Sequence, residues 1–458
     1  MDLFRKKEIN ASLADESHLT KCLTAFDLTL LGVGAIIGAG IFILTGVVAA
    51  KDAGPGIIFS YVLAGFACIF SALSYAELAA TIGGCGSAYG YAYAGFGELI
   101  AWIVGWDLLL EYAISVSAVS VGWSGYANDF LMAIKINLPK TLLSGPENGG
   151  FFNLLACLII AILTALLIWG VKSSTRVNNI MVMIKLFVVL LFIGIALGEV
   201  KPSNWSPFLP FGWHGVIQGA SLIFFAYIGF DAVSTAAEEA INPQRDLPIG
   251  IIGSLFICTI LYIVVSGLLT GIAHYSTLNV ASPISHALLV LGYKSAASLI
   301  SLGAIAGLTT VMLVLFYGLT RVMLAMTRDG LLPKIFSKTN PYTHTPIRII
   351  VLCGILMASL AAFVPMDVLA ELVNVGTLFA FFIVCAGVLY LHYKRPEMHR
   401  PFKTPGKPLV PILGMATCLY LIINLPSITL MRFLIWMGVG LVIYFSFSYT
   451  RSALQKNG

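Results

Sequence analysis

The sequence predicts an all-α integral membrane protein with twelve transmembrane helices, two of them interrupted. Three observations predict it: an apolar excess, the spacing of long uncharged runs, and a one-sided distribution of Lys and Arg. Of 458 residues, 59% are apolar and 10% charged, where soluble domains carry about 25% charged residues. A chain this poor in polar groups cannot cover itself for water, which excludes a soluble enzyme. The net charge of +5 arises from 26 Lys+Arg against 21 Asp+Glu, with no basic stripe, and this excludes a nucleic-acid-binding protein.

A bilayer crossing takes about 20 predominantly apolar residues. Spans 1 and 2 occupy 28–50 and 57–76; span 3 runs roughly over 89–127 and carries Asp107 and Glu111. Span 4 lies at 151–170, span 5 at 177–198 around Lys185, and span 6 at 211–237 around Asp231. Spans 7 to 10 fall at 247–273, 295–320, 349–366 and 372–391, and spans 11 and 12 at about 408–425 and 430–450. The connections are too short to hide a soluble domain. With the N-terminus inside, 19 of the 26 basic side chains fall on cytoplasmic segments, 6 fall outside, and Lys185 alone lies in the membrane. Basic loops favour the cytoplasm, so both termini are expected there, in a multi-pass protein of the cell membrane.

No removable signal peptide is expected, because no short apolar region with a cleavage site follows Arg5, Lys6 and Lys7. The eight cysteines, at 22, 68, 85, 157, 258, 353, 385 and 418, show neither CxxC nor a Cys/His cluster. They read as buried thiols, with no metal site, disulfide framework or cofactor.

Span 1 reads LTLLGVGAIIGAGIFILTG, with glycines at 32, 34, 38, 40 and 46. Each weakens a helix by about 1 kcal/mol relative to Ala, so the run needs a reason. One is close packing, since Gly34 and Gly38 form a GxxxG pair. The other is an interruption near Gly38-Ala39-Gly40, whose freed N–H groups would bind a carboxylate at mid-membrane. Span 6 carries a second candidate break at FFAYIGFDAVSTAAEE, where Asp231 follows Gly229. A carboxylate at that depth is costly and marks a functional site by default. It suits the start of a half-helix better than a helix interior. Breaks five spans apart are the sequence sign of a transporter built as an inverted repeat.

These residues resemble the amino acid–polyamine–organocation superfamily. The stretches carrying the resemblance are GVGAIIGAGIF in span 1 and SYAELAATIGGCGSAYGYAYAGFGE at 74–98. EEAINPQRDLPIGI at 238–251 and TRVMLAMTRDGLLP at 320–333 narrow it to the cationic amino acid transporter branch. The resemblance covers about residues 20 to 450. It implies a five-plus-five inverted repeat, spans 1–5 within 26–198 and spans 6–10 within 205–393. Two extra helices follow within 408–450, between cytoplasmic segments 1–25 and 451–458. It also implies alternating access, with the substrate at the broken centres of spans 1 and 6. The substrate carboxylate would meet the N–H groups of Gly38, Ala39, Gly40 and Ile41. The ammonium would meet carbonyls around Ile36 and Ile37, and around Phe225, Ala226 and Ile228, with Phe225 as a lid. Opposed half-helices suit a zwitterion on physical grounds as well, offering donors to one end and acceptors to the other.

Lys185 interrupts NNIMVMIKLFVVLLFIGIALG one or two turns from the cytoplasmic end. A long lysine can snorkel from such a depth. The resemblance implies another role: in sodium-coupled relatives this part of span 5 helps form a cation site, and in proton-coupled members a lysine fills it. An ammonium there would brace span 5 against the carbonyls of the break, around Gly34 and Ile37. Burial disfavours the charged form of a lysine, so losing the proton would release the brace and couple a proton gradient to a conformational change. Glu111, one turn after Asp107, is a candidate partner of Lys185; the two acids can instead repel each other.

A cationic substrate would want a carboxylate in the pocket, which Asp231 can supply, or Asp231 caps the second half-helix. The apolar wall Val311–Phe316 of span 8 favours small or medium neutral side chains such as alanine. The expected function is therefore proton-coupled symport of neutral L-amino acids. Arginine or lysine transport and amino acid exchange are the alternatives. A channel would show a selectivity-filter loop or a charged pore ring. An enzyme or ATP-driven pump would show HExxH, GxSxG or GxxxxGK[ST], and the sequence has none of these. The expected partners are an L-amino acid, the proton and membrane lipid. Oligomeric state, a single-span accessory subunit and a sterol-like lipid leave no sequence signature.

Overall fold

The computed structural model describes residues 5, 23–82, 87–169, 175–237, 240–338, 340, 345–406 and 408–453. Most of the expected cytoplasmic N-terminal segment, the GGCG turn at 83–86, Lys172, Glu238-Glu239, Lys407 and the last five residues lie outside them, as do Cys22 and Cys85. Among the described residues the regular structure is helical, apart from one bridge between Leu23 and Ala240. The six described cysteines are free thiols.

Helix α1 (Ala25–Ile36) opens on a capping box, in which Thr24 and Asp27 each bind the other's backbone amide. It stops where Ile37 turns extended (φ −70°, ψ 101°). The chain resumes as a π-helical turn over Gly40–Leu44, α2 (Thr45–Val48) and a second π turn, Ala49–Ala53. Helix α3 (Ile57–Ile82) follows, then α4 (Ser87–Gly95) and α5 (Glu98–Ala133). Span 3, expected from 89, is thus two elements: Gly97 takes φ 106° between them, a conformation that ends α4 and is open chiefly to glycine. Helices α6 (Leu154–Trp169) and α7 (Thr175–Ala196) complete the first half.

Span 6 is broken. Helix α8 (Gly212–Ile223) tightens into a 3₁₀ turn at Phe224–Tyr227, Ile228 is extended, and a second 3₁₀ stretch spans Phe230–Ala236. Helices α9 (Pro243–Ile272), α10 (Pro283–Val290), α11 (Lys294–Arg328), α12 (Ile347–Phe363), α13 (Met366–Lys394), α14 (Leu409–Ile423), α15 (Ser427–Ile443) and the short α16 (Tyr449–Arg451) follow. Among the described residues, seven stretches are long and apolar enough to cross a membrane, and four more apolar helices are shorter. Their outward faces carry large apolar side chains such as Phe187, Leu190, Leu434 and Val442, a surface suited to lipid.

Two sets of helices pack among themselves, and α7, α13 and α14 also touch α1 or α3 across them. Helix α9 lies along α1 and α3, and α3 along α8. Helix α11 lies along α5 and α7, α13 along α5, and α12 along α6. Helix α15 joins the second set through tryptophans: Trp106 stacks between Trp102 and Trp436, with centroids 5.6 and 4.4 Å away. The Trp106 and Trp436 indoles each donate to the other's carbonyl, at 2.9 and 3.2 Å.

Candidate substrate and coupling site

The two breaks cross, and glycines let them touch. A Cβ on Gly40 would run into the Ala226 Cα, and one on Gly229 would lie 2.9 Å from the Ala35 backbone. Gly229 also takes φ 119°, a left-handed conformation that other residues rarely adopt. Two further glycines of span 1 serve packing: Gly32 receives Ser254, and Gly46 receives Pro283 and the Leu278 carbonyl. The interruption falls at Ile37-Gly38, and close packing is seen at Gly32 and Gly46.

A cavity of about 20 Å³ lies at the crossing, room for about one water. Of the expected substrate residues, Ile36, Gly38, Ala39, Gly40, Phe225 and Ile228 line it. Ser115 and Val119 of α5 and Val311 and Leu315 of α11 close the other side. The first turn of the half-helix at Gly40 has N–H groups without intrahelical acceptors, and its positive end favours an anion. Ile37, Ile41 and Ala226 are buried at the break without lining the cavity.

Lys185 is buried to 1% exposure. Its Nζ donates to the carbonyls of Gly34 at 2.7 Å and Ile37 at 3.3 Å. Its stem lies on Gly307 of α11, where a Cβ would be 3.0 Å from the lysine Cγ. The Tyr262 hydroxyl of α9 lies 2.8 Å from both the Ile36 and the Ala226 carbonyls, one on each broken span. Sequence reasoning missed Tyr262 and Gly307, since a tyrosine or glycine within an apolar run carries no signal of its contacts.

Asp231 is buried but does not line the cavity. Its Oδ1 accepts from the Gly229 amide at 3.2 Å, and its Oδ2 from the Tyr112 hydroxyl at 3.2 Å. Asp231 is thus held from two sides, by the backbone at the start of the second half of span 6 and by α5. Glu111 stands apart from Lys185: its charged neighbour is Asp231, with Asp107 one turn away. Among the described residues Lys185 makes no ion pair. The carboxyl groups of Glu111 and Asp107 are buried, Thr377 of α13 lies beside Glu111, and Gly376 packs directly on Asp107.

Glu77 and Glu98 tie elements together. Glu77 meets His392 at 2.6 Å, the Arg400 Nε at 3.3 Å and the Thr404 amide at 2.8 Å, joining α3 to the end of α13 and the segment after it. Glu98 accepts from Tyr93, Tyr444 and Ser452, joining α5 to the C-terminal end.

A family model described as amino acid permease matches residues 23–453. The chain is 51% identical over 462 residues to the branched-chain amino acid permease BcaP of Bacillus subtilis, with 99% of each chain covered. It is 48% identical over 458 residues to the methylthioribose transporter of the same organism, again with 99% of each covered. The chloroplastic cationic amino acid transporter 9 of Arabidopsis thaliana is 44% identical over 383 residues, covering 81% of this chain and 67% of that one. With its apolar helices and this match over nearly its whole length, the chain is a multi-pass membrane protein that belongs to the amino acid permease family of the amino acid–polyamine–organocation superfamily.

Proposed function

We propose that the chain carries neutral L-amino acids across the cell membrane together with a proton, by alternating access through twelve spans with both termini cytoplasmic. The observation that carries this reading is Lys185, whose ammonium bridges the Gly34 and Ile37 carbonyls at the break in span 1. Loss of its proton removes the cation that holds α7 to α1, so the protonation state and the arrangement of these helices become linked. Glu111, buried beside Asp231, is the second candidate proton carrier.

The packing supports a five-plus-five repeat. Span 7 on span 1 mirrors span 2 on span 6, and span 8 on span 5 mirrors span 3 on span 10. In the binding mode we favour, the N–H groups of Gly38, Ala39, Gly40 and Ile41 hold the substrate carboxylate. Carbonyls of Ile36, Ile37, Phe225, Ala226 and Ile228 face the ammonium, and the Phe225 ring covers the pocket. A cavity of about 20 Å³ is a closed state, so entry requires the two sets of helices to part.

A neutral side chain fits the apolar lining, and the relative named for branched-chain amino acids points the same way. Cationic substrates are the runner-up, on the strength of the plant relative's name. Against them, no acidic side chain lines the cavity and Asp231 is engaged by Gly229 and Tyr112. Methylthioribose has no carboxylate for the half-helix at Gly40, which leaves that substrate less suited here.

The test is uptake of labelled alanine and arginine by the purified protein in liposomes, with and without an inward proton gradient. Alanine uptake should rise with the gradient, and Lys185→Ala should lose the gradient-driven part by at least about tenfold, roughly the loss of one charge-assisted hydrogen bond. Alanine uptake indifferent to the gradient, or a Lys185→Ala protein still driven by it, sinks the proton-symport reading.

A further inference from the structure

We infer that Ser115 makes this site select amino acids that carry a hydroxyl on the β-carbon, serine and threonine, over apolar ones of the same shape. The inference rests on the reading of the cavity as an amino acid site and names the class of side chain it takes.

Ser115 is the one polar side chain among the residues lining the cavity. Helix α5 carries three other serines whose hydroxyls bind backbone carbonyls: Ser117 on Ala113 at 2.9 Å and Met357 at 3.1 Å, Ser120 on Ser117 at 2.7 Å, and Ser124 on Val121 at 2.6 Å. That is the ordinary fate of a serine inside a helix. The Ser115 hydroxyl is buried to the same degree and has no such partner. A buried hydroxyl is costly to leave unpaired, and the cavity beside it, about 20 Å³, is the size of one water-like group. A substrate hydroxyl supplies both a donor and an acceptor at that place; a methyl group of the same volume fills it and leaves Ser115 unsatisfied.

The other walls set the position of that hydroxyl. The backbone of the broken span 1 lies on one side of the cavity, and Val311 and Leu315 of α11 lie on another. With the substrate carboxylate at Gly38–Gly40, its Cβ substituent lies between α5 and α11. Apolar Val119, one turn after Ser115, receives the methyl of threonine. Sites that pair a substrate hydroxyl discriminate strongly against the analogue lacking it, because their own polar group is then stranded.

Threonine and valine differ by hydroxyl against methyl at nearly constant shape, so they isolate this effect. The full-length protein in liposomes would be given labelled threonine and valine in competition, and the ratio of their uptake efficiencies measured. The wild-type protein should favour threonine by about tenfold, the cost of leaving one buried hydroxyl unpaired. Ser115→Ala should bring the ratio to within about twofold of unity by lowering threonine uptake, while Ser120→Ala leaves it unchanged. Serine against alanine in the wild-type protein repeats the comparison without any substitution. Valine taken up as well as threonine by the wild type overturns the inference. So does a Ser115→Ala protein that loses both substrates equally, since the hydroxyl would then serve a group common to all amino acids. Failure of the wild type to take up any neutral amino acid overturns the transport reading itself, and with it this assignment.

Discussion

At the scale of single residues, chemistry at the site depends on positions that carry no chemistry of their own. Gly229 combines φ 119° with a backbone neighbour 2.9 Å from where a Cβ would stand. Gly229→Ala should therefore cost about 1–3 kcal/mol and lower the melting temperature in detergent together with uptake. Gly438 of α15 has nothing within 4 Å of its Cβ position, and Gly438→Ala should instead hold or raise stability, by up to about 1 kcal/mol. Equal losses from the two substitutions would remove the argument from Gly229. Its place after FFAYI is legible as a break, because a continuous helix gains nothing from a glycine beside a membrane carboxylate. Ser115 is not legible, because a serine among apolar residues reads the same whether or not its hydroxyl finds a carbonyl.

At the scale of elements, α7 grips α1 at both ends. Lys185 holds the broken end, and near the other end Asn179 donates to Asp27 Oδ1 at 3.0 Å. Asp27 also accepts from the Thr24 amide at 3.0 Å and from the Thr24 hydroxyl at 2.6 Å. Burial works to raise the Asp27 carboxyl, but the hydrogen bonds from Thr24 and Asn179 outweigh it and hold the group below the usual carboxylate range. A depressed carboxylate stabilises the fold above its unfolded value, about 3.9, and that contribution is lost as pH falls through the folded value. Asp27→Ala should cost about 1 kcal/mol at neutral pH. Denaturation in detergent should show the gap to wild type closing below about pH 4; a gap that persists unchanged in stronger acid would show that the carboxylate charge is not its source. The capping sequence T-x-x-D is present to be read, while the tie to Asn179 joins two helices and has no signature along the chain.

At the scale of the whole molecule, the two sets of helices are tied to each other at the breaks by a handful of side-chain hydrogen bonds. Lys185 binds span 1, Tyr112 binds Asp231, Tyr126 donates to the Phe42 carbonyl at 2.7 Å, and Asn374 donates to Ser221 and Leu222 at 2.8 and 2.9 Å. The order of elements and the position of both breaks are readable from apolar runs, glycines and the few membrane charges. The pairing of helices is not, because it depends on faces that look alike in an apolar sequence. One contact bears on how the whole protein runs. The Tyr262 hydroxyl faces two carbonyls at 2.8 Å but owns a single hydrogen, so it can donate to only one of the two broken spans at a time. In the binding mode proposed above, an amino acid's ammonium would supply the second donor. On the proposed cycle, the loaded protein should thus pass through the closed state more readily than the unloaded one, and the unloaded return becomes the slow stroke. Liposomes preloaded with unlabelled alanine should accordingly take up labelled alanine several-fold faster than liposomes without it, an acceleration that Tyr262→Phe should alter; equal rates would mean that the second donor exerts no control over turnover.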